Sequence, residues 1–307
     1  MKLRIATRGS DLARAQSNDV ARRLQALGHE TELVIISTVG DRVTDRAFVE
    51  VGSFGLFVRE IENALLDGRA DVAVHSYKDL PSKSPDGLVV AAVPERLDAA
   101  DVLLVRPEAA EAGAAGIPVR AGARVGTSAA RRKALMAAER PDLEIGLLRG
   151  NVPTRVGALL DGRFDAIVLA SAGLQRLDRA SGSSLVPAEI VRQRLDPRRY
   201  VPAPAQGAIA VQIRADAGPV RAAVSSLNDA TTARALQAER ALLGLAEAGC
   251  NLPFGAWCER VGDGDAMRLY AVLGRDDLTV VRSDGIGVDP LALAAMVWSG
   301  LSSEAVR

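Results

Sequence analysis

The segment Val74-His-Ser-Tyr-Lys-Asp-Leu-Pro81 turns from an apolar run into polar side chains, and sets one carboxylate, Asp79, beside one ammonium, Lys78. Open α/β sheets build their sites in this way, at the carboxyl ends of strands, where loops are free to vary and helix N-termini present unpaired N–H groups. The plainer reading is a solvated turn ahead of Pro81. A second set of chemistry-bearing residues favours the first reading. Gly126-Thr-Ser-Ala-Ala-Arg-Arg132, Leu148-Arg-Gly-Asn-Val-Pro-Thr-Arg155 and Ala172-Gly-Leu-Gln-Arg176 each place arginines where a strand gives way to a helix. Arg8 does the same near the start of the chain. If those junctions share one sheet edge, they line a single cationic cleft suited to a polyanion.

The cations are almost all arginine. Lys2, Lys78, Lys83 and Lys133 are the only lysines, so the other 34 of the 38 basic residues carry guanidinium forks, which grip carboxylates and phosphates at two points. Arginine abundance in an alanine-rich chain can also reflect genome composition, so position decides. Lysine plus arginine equals aspartate plus glutamate, 38 of each, and that balance argues against a long nucleic acid as the ligand. Two cysteines, Cys250 and Cys258, and two histidines, His29 and His75, are too few for a structural zinc cluster or a disulfide framework. Met1-Lys2-Leu3-Arg4 runs directly into a strand-like stretch without the apolar region of a signal peptide. No apolar stretch approaches the roughly 18–20 residues of a membrane span. A cytoplasmic protein that needs no membrane is expected.

The elements that must position these residues repeat. Asp67-Gly-Arg-Ala-Asp-Val-Ala-Val-His-Ser76 echoes Asp161-Gly-Arg-Phe-Asp-Ala-Ile-Val-Leu-Ala170, and Arg4-Ile-Ala-Thr-Arg-Gly-Ser10 echoes Arg124-Val-Gly-Thr-Ser-Ala-Ala130. Ser10 and Ser128 sit where N-caps belong. Strands near 3–7, 32–38, 70–75 and 88–93 with helices near 11–27 and 56–66 make one α/β lobe. Strands near 101–105, 123–127, 143–148 and 165–170 with helices near 128–138 and 152–160 make another. Residues 108–122 read as a loop, and Ala208–Ile213 as a strand returning to the first lobe. From 218 onward a helix near 229–246, three strands and a final helix suggest a smaller α+β domain. The expected division is 1–95 with 198–216, then 99–195, then 218–307. Cys250 falls in a loop and suits a presented thiol; Cys258, within a strand, suits a buried small hydrophobe. His75 reads as a hydrogen-bonded structural side chain rather than a base.

Taken in order, Arg4–Ser10, Val74–Pro81, Gly126-Thr-Ser through Arg132, Arg149–Arg155, Gln206-Gly207 and Gly249-Cys250 resemble the hydroxymethylbilane synthase family, also called porphobilinogen deaminases, over essentially the whole chain. The resemblance implies two similar lobes of the type II periplasmic-binding-protein kind, with a hinge and a cleft, and a smaller C-terminal α+β domain. It implies that Cys250 carries a dipyrromethane cofactor through a thioether. Four porphobilinogen units are then added in turn, each losing ammonia to give an azafulvene that the growing oligopyrrole attacks, and water releases linear hydroxymethylbilane. By the same resemblance Asp79 is the catalytic acid. Lys78, Thr127, Ser128, Arg131, Arg132 and Arg155 hold the cofactor, while Arg8, Ser10, Arg149, Arg176 and Gln206 bind substrate and growing chain. A monomer is implied. The chain departs from the family pattern at Phe54, where many members have lysine, and at Ala248, where glycine is common. Arg59 keeps a cation near Phe54. The competing reading is a two-lobed small-anion binding protein or the effector domain of a regulator, which would call for a leader or a helix-turn-helix.

Overall fold

The computed structural model describes residues 1–36, 53–111, 116–246, 253–275, 277 and 279–305. In chain order the elements are β1 (Lys2–Arg8), α1 (Asp11–Ala26), β2 (Glu30–Ile36), α2 (Ser53–Leu66), β3 (Val72–Ser76), β4 (Leu88–Ala92) and β5 (Asp101–Val105). There follow β6 (Arg124–Thr127), α3 (Ala130–Glu139), β7 (Glu144–Leu147), α4 (Val152–Leu160), β8 (Ala166–Ala170), α5 (Ser171–Ser181) and β9 (Val191–Arg194). The chain continues with β10 (Ile209–Arg214), α6 (Gly218–Ser225), α7 (Ala230–Leu245), β11 (Phe254–Arg260), β12 (Met267–Gly274), β13 (Val280–Gly287) and α8 (Pro290–Ala305). Two compact units result, Met1–Leu97 with Ala208–Ala233, and Asp98–Gly207 with Arg234–Arg307.

The first unit is built on a five-stranded sheet in the order β2-β1-β3-β10-β4. β1 runs parallel to β2 and β3, whereas β10 is antiparallel to both of its neighbours. Both faces are covered, so β3, β4 and most of β10 read as apolar runs, whereas β1 and the edge strand β2 keep polar residues between their apolar ones. Leu3, Ile5, Val72, Val74, Val211 and Ile213 pack with Val20, Leu24 and Val224 on one face; Ala6, Ala73 and Ile36 meet Ile61, Ala64 and Leu65 on the other. Each such Leu, Ile or Val contributes about 1.5–3 kcal/mol by burial. α1 starts where Ser10 Oγ accepts from Ala13 N at 3.4 Å, and the chain leaves it through Gly28 at φ 83°.

The second unit repeats that sheet as β7-β6-β8-β5-β9, with β6 parallel to β7 and β8, and β5 antiparallel to β8 and β9. Two similar lobes of the type II periplasmic-binding-protein kind are therefore present. The two sequence echoes meet in one device. Arg4 donates its own backbone N–H (2.9 Å) and its guanidinium (3.0 and 2.8 Å) to Asp71. Arg124 does the same to Asp165, at 2.8, 3.4 and 3.4 Å. In each lobe a forked arginine at the start of the central parallel strand, β1 or β6, thus clamps the residue that leads into its parallel neighbour, β3 or β8.

The remainder of the second unit is the smaller α+β part, an antiparallel sheet β11-β12-β13 with α8 on one side. Trp257, Tyr270, Val272 and Val280 of this sheet join the core of the second lobe. The approach is close at Gly255, where an added Cβ would lie 2.7 Å from Val201 O and 2.9 Å from Arg131 Cδ. Only glycine fits that position without movement. Cys258 is buried, as its place in a strand suggested. Two elements escaped the sequence reading: α6, short and opened by Gly218-Pro219, and β9, an edge strand with exposed arginines. Ser128 is not a cap: the N-cap of α3 is Ala129, with no side-chain hydrogen bond, and Ser128 is exposed.

Candidate active site

In each lobe the candidate residues lie at the carboxyl ends of the parallel strands. In the first unit, Arg8 ends β1 and Ser10 caps α1; Lys78 and Asp79 form a single 3-10 turn, Tyr77–Asp79, directly after β3. Residues 37–52, which follow β2, lie outside the described residues. Asp79 keeps some surface exposure, but its carboxyl is desolvated. Burial pushes its pKa up, and the charges of Lys78 and Arg8 pull it back only in part. Among the described residues no hydrogen bond reaches that carboxylate. An acid whose pKa is raised by desolvation is better suited to donate a proton, and in its ionised form it can stabilise positive charge nearby.

Beneath this turn runs a buried polar chain. His75 Nε2 and Gln212 Oε1 are 3.1 Å apart, and Gln212 Nε2 donates to Glu62 Oε1 at 3.0 Å. Burial lowers His75 to about 4 despite the Gln212 bond, so the imidazole is neutral. It is a structural partner in a satisfied network, as its apolar strand implied. Gln16 and Ser76 are likewise bonded to each other, at 2.8 Å.

In the second unit the candidate arginines follow successive strands of the sheet. Arg131 and Arg132 open α3 after β6, Arg149 and Arg155 bracket the start of α4 after β7, and Arg176 lies on α5 after β8. Asn151 caps α4 by accepting from Thr154 N at 2.9 Å, and Gly150, at φ 104°, exposes the carbonyl to which Arg155 Nε donates at 2.7 Å. Thr127 is buried at the end of β6, with its hydroxyl 3.3 Å from Ala129 N, while Arg149 is exposed. Arg176 Nη2 donates to Gly207 O at 2.7 Å.

The sequence reading missed the centre of this cluster, Asp101. Its carboxylate is 1% exposed and accepts from Arg131 Nη2 at 2.9 Å, Arg132 Nη2 at 2.8 Å and Gln206 Nε2 at 2.8 Å. Burial pushes Asp101 up, but the two guanidiniums and the hydrogen bonds from Arg132 and Gln206 override it and hold the carboxyl well below the usual range. Gln206, expected among the ligand-facing groups, is buried and bonded inward, also to Ala99 O at 2.8 Å. The available signal was a lone acid at the head of the otherwise apolar strand Asp101-Val-Leu-Leu-Val105.

Charge in the cluster is not balanced. Asp101 answers both Arg131 and Arg132, and among the described residues Arg132 Nε is buried without an acceptor. Burial, and then the charge of Arg132, lower Arg155. Two guanidiniums repelling each other beside an unmet buried donor fit a ligand bearing several carboxylates, and so fit a dipyrromethane. Cys250, Ala248 and the side chain of Phe54 lie outside the described residues.

Comparison with known proteins places the chain in a family. The family model for the porphobilinogen deaminase dipyrromethane cofactor binding domain matches residues 3–222. A porphobilinogen deaminase of Brevibacillus brevis is 40% identical over 307 residues, covering 99% of this chain and 94% of its own. That of Syntrophobacter fumaroxidans is 44% identical over 287 residues, covering 93% and 88%. That of Sorangium cellulosum is 40% identical over 308 residues, covering 100% and 95%. The chain belongs to the porphobilinogen deaminase family.

Proposed function

We propose that this chain is a hydroxymethylbilane synthase, a transferase of tetrapyrrole and haem biosynthesis that condenses four porphobilinogen molecules and releases linear hydroxymethylbilane. Membership of the family carries the reaction, and the desolvated carboxyl of Asp79 after β3 is the observation that carries its chemistry. As ammonia leaves the aminomethyl group of porphobilinogen, the pyrrole becomes cationic. A fixed carboxylate at Asp79 stabilises that charge, with the sign reversed from an oxyanion hole. The raised pKa lets the same group hand a proton to the departing amine and take one back from the attacked carbon. The dipyrromethane supplies the free pyrrole α-carbon onto which the units are added.

Each pyrrole carries an acetate and a propionate, so the growing product is a polycarboxylate, and forked arginines suit it. Arg131, Arg132 and Arg155, with Lys78, Thr127 and Ser128, are assigned to the cofactor. Arg8, Ser10, Arg149 and Arg176 are assigned to incoming and growing rings. Gln206 supports the cofactor arginines through Asp101. Cys250 is assigned as the attachment point. A monomer acting in the cytoplasm, without nucleic acid or membrane, is carried over from the family; no helix among the described residues is long and apolar enough to cross a membrane. Intact mass of the purified protein tests the assignment. It should exceed the sequence mass by a dipyrromethane, with a coloured Ehrlich response, and Cys250→Ser should remove both; an unmodified wild-type chain after incubation with porphobilinogen would overturn it. Arg149→His should slow elongation so that partly extended intermediates accumulate, and an unchanged distribution of intermediates counts against its role.

A further inference from the structure

Among the described residues one non-glycine backbone is left-handed, that of Ala205 at φ 61°. It is itself fully buried in the turn between Pro202 and Gly207, and an L-residue stays in that conformation only where its surroundings over-determine it. The N–H of Ala205 donates to Glu239 Oε2 at 2.6 Å. The other oxygen of the same carboxylate, Oε1, accepts from Cys258 N at 2.8 Å. Glu239 sits on α7 with 0% exposure, so a wholly buried acid bridges backbone donors from β11 and from the turn. Neither the motifs nor the reaction accounts for it.

The turn leads straight into the arginine cluster. Gln206 N donates to Ala203 O at 2.9 Å, and its side chain is bonded to Ala99 O and to Asp101, the acid that aims Arg131 and Arg132. The carbonyl of Gly207 receives Arg176. A flip of Ala205 to right-handed backbone would redirect the next peptide and with it the Gln206 amide. We infer that Glu239 is a positioning residue: it holds the 202–207 turn left-handed and thereby keeps Gln206, Asp101, Arg131 and Arg132 in the arrangement that receives the cofactor's carboxylates. This rests on the reading above that these arginines hold the dipyrromethane. A carboxylate is required because it presents two acceptors and no donor. Glutamine at this position would aim an N–H group at one of the two backbone N–H groups.

Cofactor-free wild type, Glu239→Gln, Ala205→Gly and the double variant, each incubated with porphobilinogen, separate the outcomes. The fraction gaining dipyrromethane is read by intact mass, and thermal unfolding is followed in parallel. Glu239→Gln is expected to load about ten-fold more slowly or worse, as misplaced binding groups do. Glycine adopts φ near +60° unaided, so Ala205→Gly should load normally and the double variant should recover to within about three-fold of wild type. Wild-type loading by Glu239→Gln, or a double variant no faster than Glu239→Gln, overturns the inference. Failure of both Glu239→Gln and the double variant to fold also overturns it, by making Glu239 a stability residue alone. If wild type itself gains no mass, the functional reading falls, and the inference falls with it.

Discussion

Asp79 in the first unit and Asp101 in the second have the same local inventory, one acid with two cations near a strand end, and they titrate in opposite directions. Asp79 feels Lys78 and Arg8 only through their fields, and desolvation wins. Asp101 is at least as deeply buried, but two guanidiniums and an amide touch it directly at 2.8–2.9 Å, and pairing wins. Counting charges in a sequence motif therefore does not tell an acid whose pKa is pushed up from one whose pKa is held down; hydrogen-bond contact does. Among the described residues the acid proposed to carry protons accepts no hydrogen bond, whereas Asp101 is engaged by the two guanidiniums and the amide that surround it.

Removing each acid should break different properties. Asp101→Ala strands two buried guanidiniums and is expected to cost about 3–5 kcal/mol of stability, read by urea unfolding. A loss below about 1 kcal/mol would mean that the cluster is not a closed ion network. Asp79→Ala is expected to lower turnover by about 100–1,000-fold while the protein still folds, and retention of more than about a tenth of wild-type turnover would refute its role. The sign of its stability effect sharpens the contrast. A pKa raised by folding means that the native state binds the proton more tightly, so stability falls as pH rises from the ordinary carboxyl range through the raised value. At pH 8 the unfolding midpoint of Asp79→Asn should therefore equal or exceed that of wild type, whereas Asp101→Asn should fall well below it.

His75, on the strand that ends at Asp79, isolates burial from pairing. Its pKa drops from 6.5 to about 4 on folding, so the unfolded chain takes up the proton first on acidification. Stability is fully present above pH 6.5 and declines toward pH 4, with about 2 kcal/mol lost between pH 7 and pH 5. His75→Gln should flatten that part of the urea-midpoint profile, and an unchanged slope would assign the acid sensitivity elsewhere.

Much of the architecture was legible because it depends on local patterns. Apolar runs such as Val102-Leu-Leu-Val105, and the Asp-Gly-Arg turns before β3 and β8, mark buried strands and their entry points directly. The echo between the lobes was visible, but its cause, the Arg4–Asp71 and Arg124–Asp165 clamps, needed pairing across 67 and 41 residues. The strand-end arginines were legible for a similar reason, since each follows its own strand. Asp101 and Glu239 were not, because an acid heading an apolar run, or one beside an arginine within a helix, looks solvated until the partners that bury it, from Arg131 to Gln206 and from Ala205 to Cys258, come in from elsewhere. Ser128 failed as a cap because the N-cap falls one residue later, at Ala129.

The strand order of the first sheet bears on how the chain is made. β10 lies between β3 and β4, yet it is translated more than a hundred residues after β4. At ribosomal speeds of about 5–20 residues per second, the gap leaves the inner edges of β3 and β4 without their neighbour for on the order of ten seconds. The second sheet needs no such wait, since β5 to β9 emerge consecutively. Vectorial synthesis thus completes the arginine-bearing sheet before the acid-bearing one, and a nascent chain arrested near residue 200 would expose an open edge to aggregation or to chaperone capture.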